Sequence, residues 1–173
     1  MQIKKVLQSG EVVRFHNHAG VDKQPIANHQ WGVALIVQYL FPEATKKLIL
    51  AALTHDAAEY VTGDIPAPVK WVHPNIKETL ESIEVLVSHE WGIQYQLSRE
   101  EKLVLGAADK LEGMCYCVQQ LKQGNRSARR PYRKWRKAIE EMARGEENFL
   151  RDSTNFVTFL NMLETEKEKW DVS

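Results

Sequence analysis

Cysteine is nearly absent from this chain: there are two in 173 residues, Cys115 and Cys117. Two positions apart on a helix they point to nearly opposite faces, so they can neither share one metal ion nor form an unstrained disulfide. That excludes a disulfide-stapled scaffold and suits a reducing cytoplasm, with the thiols as core filler. Long apolar runs are missing too. No stretch approaches the roughly 20 apolar residues of a membrane span, so neither a transmembrane helix nor a signal peptide is expected. Net charge is also lacking, because 23 basic side chains face 23 acidic ones. No global field therefore draws the chain to nucleic acid or to a membrane. Internal repeats, low-complexity segments and convincing alternating strands are absent as well. What is present is 43% apolar content at helical spacings. It predicts one all-α domain over residues 1–173, a helical bundle of about six or seven helices.

Residues 1–13 are short and mixed, suited to a brief helix or turn. Asn, Gly and Asp after Arg14-Phe15 signal a loop, where His16 and His18 are expected to be exposed rather than ligating. A helix near Ile26–Phe41 is apolar around most of its circumference, which predicts burial, and carries His29 in its first turn. Pro42 ends it. Residues 43–62 predict a second helix closed by Gly63, a residue suited to the position after a helix end. Asp64–Val72, with Pro66 and Pro68, reads as a stiff turn or extended link. Pro74 opens a helix to Trp91 with Ile76, Leu80, Ile83, Val87 and Trp91 inward. Ser98-Arg-Glu-Glu101 is a capping box. Behind it Leu103, Ala107, Leu111, Met114, Val118 and Leu121 form a core stripe. Asp109 sits in the middle of that helix beside Gly106, Ala107 and Ala108, which leave room for something to approach it. Pro131 starts a helix with Trp135, Ile139 and Met142 inward. The last, near Glu146–Lys167, buries Phe149, Phe156, Phe159 or Leu160, and Leu163, before a polar tail expected to fray.

Two features carry chemistry. In Leu50–Lys70, an Ala-rich apolar run bears His55 and Asp56, with Glu59 four and three residues further on. Helical spacing puts these side chains at one end of one element, and buried ionisable groups are costly unless paired or metal-bound. Adding His29 and Asp109 gives two imidazoles and two carboxylates from separate helices. That set suits one divalent metal ion (cobalt, manganese or zinc) with positions left open for water and substrate. The second feature is residues 122–137, with eight basic residues and no acid. A solvated helix face, a phosphate-binding rim and a nucleic-acid contact all fit such a run.

The order His29, His55-Asp56, Asp109 resembles the HD-domain metal-dependent phosphohydrolase superfamily. Glu59, the run Thr62-Gly63-Asp64-Ile65-Pro66-Ala67-Pro68-Val69-Lys70, and Arg14 fifteen residues before His29 narrow the resemblance to bacterial 5′-deoxynucleotidases. It covers roughly residues 14–125. Related phage enzymes of similar size are deoxynucleoside triphosphate triphosphohydrolases, notably on dATP. The resemblance implies a metal ion on His29, His55, Asp56 and Asp109. It makes Glu59 the group that orients or deprotonates water, and Asp64 the acid assisting the leaving 5′-oxygen. Arg14 and Lys70 would bind phosphate, and Phe15, where the family has tryptophan, would stack on base or sugar. The loop between Phe15 and His29 departs from the family, so base preference is not implied. The expected function is hydrolysis of 2′-deoxyribonucleotide phosphate esters, a 5′-deoxynucleotidase first and a triphosphohydrolase second. The expected partners are a small-molecule deoxynucleotide and further copies of the chain in a homo-oligomer, with Trp71, Trp91 or Trp135 at the contact. Neither membrane nor nucleic acid is expected, and the location is the cytoplasm, that of the host for a phage-encoded chain. Outside this class stand a nucleic-acid-binding module using 122–137 with a degenerate site, and a regulatory HD protein that binds nucleotide without turnover. Against the first, every residue the chemistry requires is present and the charge elsewhere is neutral; against the second stand Glu59 and Asp64, since binding alone needs neither.

Overall fold

The computed structural model describes residues 1–144 and 150–170, without the side chains of residues 67, 68 and 71. In chain order it runs α1 (Ile3–Ser9), β1 (Val13–Arg14), β2 (Gln24–Pro25), α2 (Ile26–Leu40), α3 (Lys46–Ala52), α4 (Glu59–Thr62) and α5 (Ala67–Val72). There follow α6 (Pro74–Trp91), α7 (Arg99–Lys122), a 3-10 turn at Arg126–Ala128, α8 (Arg129–Ala143) and α9 (Thr154–Trp170). The all-α expectation holds, and the core stripe of α7 explains why this helix is central. Ala107, Leu111, Met114, Val118 and Leu121 are buried and meet Val33 and Val37 of α2, Tyr132 and Ile139 of α8, and Phe156 and Leu163 of α9. Each large apolar side chain so buried contributes roughly 1.5–3 kcal/mol. A smaller cluster joins Val87 and Trp91 of α6 to Ala57 and Ala58.

The capping box forms as predicted. Glu101 N–H donates to Ser98 Oγ at 3.1 Å, and Ser98 N–H donates to Glu101 Oε2 at 2.8 Å. Glu101 also takes Lys47 Nζ at 2.8 Å, which ties the start of α7 to α3. Ser98→Ala is expected to cost about 1 kcal/mol, a Tm loss of roughly 2–4 °C for a domain of this size. Thermal denaturation by circular dichroism measures it, and an unchanged Tm would mean that the cap is dispensable.

Several expectations are corrected. β1 and β2 form a short antiparallel ribbon, with Arg14 opposite Gln24; two residues per strand are too few to alternate visibly in sequence. α2 is not buried all round, since Trp31 (63% exposed), Leu35 (52%) and Tyr39 (43%) line one outward face. The second helix is not continuous over 43–62. After α3 the chain tightens into turns with bonds to the third residue back: Ala57 N–H to the Thr54 carbonyl and Glu59 N–H to the Asp56 carbonyl, each at 3.0 Å. Thr54 Oγ1 meanwhile donates to the Leu50 carbonyl at 2.8 Å. The link after Asp64 ends in α5 rather than staying extended throughout. Trp91 is only 2% exposed, which removes it from any contact between copies. The α9 helix starts at Thr154; the predicted earlier start at Glu146 and the burial of Phe149 lie outside the described residues, as does the tail beyond residue 170.

Candidate active site

The break after α3 is what shapes the site. It turns His55 and Asp56 inward instead of letting them spiral along a regular helix. With its side-chain amide oriented to satisfy both ends, Gln30 accepts from the Asp56 and Ala57 N–H groups (3.3 and 3.2 Å) and donates to the Leu53 carbonyl (3.1 Å), so α2 pins this turn. Three predicted ligands, His29, His55 and Asp109, bring donor atoms within 4.8 Å of one another. His29 Nε2 lies 3.2 Å from both His55 Nε2 and Asp109 Oδ1. Asp56 Oδ2 lies 3.5 Å from His29 Nε2 and 3.4 Å from His55 Nε2. Donors that share one ion at roughly 2.0–2.2 Å sit roughly 3.0–3.5 Å apart; the pairs that involve His29, and His55 with Asp56, fit that spacing, while His55 Nε2 and Asp109 Oδ1 stand wider at 4.0 Å.

Hydrogen bonding supplies a stronger test of that fit. His55 Nδ1 lies 2.8 Å from the Ala52 carbonyl, which can only accept, so Nδ1 holds the proton. His29 Nδ1 meets the Glu112 carboxylate and is assigned a proton on the same ground. The two Nε2 atoms then face each other across 3.2 Å, beside two carboxylates. Such an arrangement calls for a cation. Burial and nearby Arg14 push the His29 pKa down, but the hydrogen bonds to Asp109 and Glu112 win and raise it to about 9. The carboxylates that favour a positive charge on His29 are the ones that would favour a metal ion beside it. Asp109 is held well below the usual carboxylate range; its burial is more than offset by the His29 hydrogen bond and by the charges of His29, His55 and Arg14.

A cleft of about 830 Å³ opens beside these donors, lined by Arg14, Phe15, Asp56, Glu59, Asp64, Lys70 and Asp109 among others. Glu59, in the first turn of α4, is buried, and its Oε2 has no hydrogen-bond partner. Desolvation, then the charges of Asp56 and Asp64, push its pKa up to about 9 against the pull of Lys70 and Arg14. Lys70 Nζ lies 3.8 Å from Glu59 Oε1. Gly63, at φ +73° and ψ 163°, makes the reversal that carries Asp64 back into the cleft; a side chain there would be strained. Asp64 Oδ2 faces His16 Nδ1 at 3.7 Å. Arg14, held on the ribbon, has its pKa raised: burial lowers it, but Asp56, Asp109, Glu112 and Asp64 more than compensate. Phe15 takes a positive φ of 61° and is only 7% exposed. Its ring stacks on Tyr116 (centroids 5.1 Å) and meets Trp135 edge-on at 5.8 Å. Much of the face expected to stack on substrate is therefore already covered by protein.

All nine residues singled out in the sequence converge on this region, and the basic run joins them. Arg126, Arg129, Arg130, Arg133 and Lys134 line the same cleft as Asp64 and Lys70. Of the loop histidines, neither joins the metal donors; His16 is exposed and His18 partly so. Sequence reasoning missed Glu112, Gln24, Gln30 and the facing of His16 toward Asp64. Glu112 had a usable signal, since it stands one turn after Asp109 on the same helix face. The others had none, because their partners lie on other elements.

The YfbR-like 5′-deoxynucleotidase family matches residues 8–157. A 5′-deoxynucleotidase of Enterobacter sp. (strain 638) is 26% identical over 129 residues, covering 61% of this chain and 65% of that protein. One of Yersinia pestis (strain Pestoides F) is 30% identical over 95 residues, covering 46% of this chain and 48% of its own. The chain thus spans between about half and about two thirds of the length of these curated relatives. The fold is shared with the cyanophage S-2L HD phosphohydrolase DatZ, solved with dA and one catalytic Zn2+ ion. The TM-score is 0.67 at 22% identity, over 98% of both chains. A match running from α1 into α9, across every element that contributes to the site, shows that the chain belongs to the YfbR-like 5′-deoxynucleotidase family, on an HD-domain fold.

Proposed function

We propose that this chain is a metal-dependent phosphohydrolase of 2′-deoxynucleotides, acting first on 5′-monophosphates to release the deoxynucleoside and orthophosphate. The observation that carries the reading is the pair of imidazole Nε2 atoms turned on each other beside Asp56 and Asp109, with the buried Glu59 in the adjoining cleft. His29, His55, Asp56 and Asp109 would hold one divalent ion. When bound, that ion would supply a positive charge that lowers the pKa of nearby water and carboxyl groups and polarises a phosphoryl oxygen. Glu59 orients the attacking water and takes its proton. Arg14 grips the phosphate with its planar fork, and Lys70 adds a point charge. Asp64 delivers a proton to the leaving 5′-oxygen, with His16 beside it. Tyr116 and Trp135 hold the Phe15 ring as a fixed edge against which the sugar or base rests. The relatives named 5′-deoxynucleotidase support the substrate class, and the dA in the DatZ structure supports a deoxynucleoside in this cleft.

One observation favours a second reading, a triphosphohydrolase. Five cations of the 126–134 segment line the same cleft, and three phosphates need more positive charge than one. The two readings separate in a panel of deoxynucleoside mono-, di- and triphosphates run with cobalt, manganese and zinc. Orthophosphate from monophosphates alone supports the first. Tripolyphosphate from triphosphates, weakened more than tenfold by Arg130→Ala with Arg133→Ala, supports the second. Turnover of neither class would overturn both. A homo-oligomer in a reducing cytoplasm completes the proposal. Free Cys115 and Cys117 accord with that compartment, and the exposed Trp31, Leu35 and Tyr39 strip accords with a contact between copies. Among the described residues no helix is long and apolar enough to cross a membrane.

A further inference from the structure

Glu112 has no part in the chemistry assigned so far, yet it is only 7% exposed and lies between the metal donors and the phosphate grip. Its Oε2 accepts from His29 Nδ1 and lies 3.4 Å from Arg14 Nη1. Its Oε1 accepts from Gln24 Nε2 at 2.7 Å, while Gln24 Oε1 accepts from Arg14 Nη1 at 3.3 Å. A buried carboxylate is costly unless its oxygens are satisfied. Here the donors given to it are a metal-donor histidine, the phosphate-facing arginine and the residue that braces that arginine across the ribbon. An independent observation comes from α2. Gly32 stands one turn after His29, and a Cβ there would lie 2.8 Å from Glu112 Cγ and 3.4 Å from Oε1. Alanine would displace the carboxylate from the recess it fills.

We propose that Glu112 is a positioning residue that couples the metal centre to the phosphate grip, and that Gly32 is the recess that lets it close on His29. The inference rests on reading His29 as a metal ligand and Arg14 as a phosphate ligand. A carboxylate on Nδ1 keeps the proton there, fixes the ring plane and makes Nε2 a better donor to a cation. The same carboxylate restrains one side of the Arg14 guanidinium, so less side-chain freedom is lost when phosphate arrives. One group thereby sets both metal affinity and substrate affinity, which a purely structural carboxylate would not do.

Glu112→Gln and Gly32→Ala test this by cobalt titration of chelator-stripped protein, read in the visible d–d bands, and by steady-state kinetics at saturating metal. Both variants are expected to bind cobalt about 10–100-fold more weakly, with shifted bands. Glu112→Gln is also expected to raise KM for a deoxynucleoside monophosphate several-fold. Metal-free melting temperatures should stay near wild type. Cobalt binding within twofold of wild type in Glu112→Gln, with an unchanged spectrum, overturns the proposal. Unfolding of that near-isosteric variant overturns it too, because the carboxylate would then be serving the fold. A loss confined to Glu112→Gln, with Gly32→Ala unaffected, removes the recess from the assignment. Wild-type protein that takes up no cobalt would instead bring down the metal-centre reading on which the inference stands.

Discussion

Glu59→Gln is expected to lower kcat by about 10²–10⁴-fold while leaving KM and cobalt affinity within a few-fold of wild type. The split arises because glutamine keeps the volume but cannot take a proton from water. The same substitution should stabilise the chelated protein. Folded Glu59 stays protonated up to about pH 9, where desolvation and the charges of Asp56 and Asp64 put its pKa, whereas in the unfolded chain it ionises from about pH 4.5 upward. Between those values the unfolded state is favoured more with each step in pH, so Glu59 subtracts from stability as pH rises. At pH 8 Glu59→Gln should recover roughly 1–3 kcal/mol, and denaturant titrations at pH 5 and pH 8 should show the gain only at the higher pH. Activity within tenfold of wild type would remove Glu59 from the mechanism. A gain of equal size at both pH values would leave its protonation out of the stability effect. A group that costs stability where it performs chemistry is a recurrent trade in enzymes.

Asp109→Asn is expected to abolish turnover, by at least about 10³-fold, through loss of one of the two carboxylate donors. Asparagine is nearly isosteric but brings no charge to balance a divalent ion. In wild-type protein, metal at about 100 times its Kd should stabilise the fold by about 2.7 kcal/mol, a rise in Tm of roughly 5–10 °C. In Asp109→Asn that rise should vanish, because the ligand that would stabilise the folded state no longer binds. Calorimetric scans with and without cobalt test this. A metal-dependent Tm rise retained in full by the variant would mean that Asp109 is not a ligand. The neighbouring charges make the outcome readable. Asp109 Oδ1 is 3.2 Å from His29 Nε2, so losing the carboxylate also removes part of what keeps His29 protonated when no metal is present.

Much of the fold is legible in the sequence. Hydrophobic periodicity located α2, α6, α7 and α8 to within a few residues, because an amphipathic helix writes its buried face into its own sequence. The capping box at Ser98 and the stop at Gly92, which takes φ 66°, were readable for the same local reason. Illegible were features whose cause lies in another element. The break between α3 and α4 depends on Gln30 reaching across from α2, while the residues around it are Ala-rich and favour continuous helix. The ribbon is two residues long on each side and has no pattern to read. Phe15 looked free to stack on a ligand, yet it is packed by Tyr116 and Trp135, which come from helices a hundred residues later.

By itself the sequence determined the all-α class and singled out His29, His55, Asp56 and Asp109 as a candidate metal-binding set, with Glu59 and Asp64 as candidates beside them. Residue types and helical spacing are local properties, and local properties survive in a string. Only the tertiary structure decided that the basic segment after residue 122 walls the cleft, since a charge run is equally at home in solvent. Only the packing of α2 on α7 decided that Glu112 closes on His29, with Gly32 making the space. Those contacts join residues 80 or more positions apart, and their geometry exists only once the helices have docked.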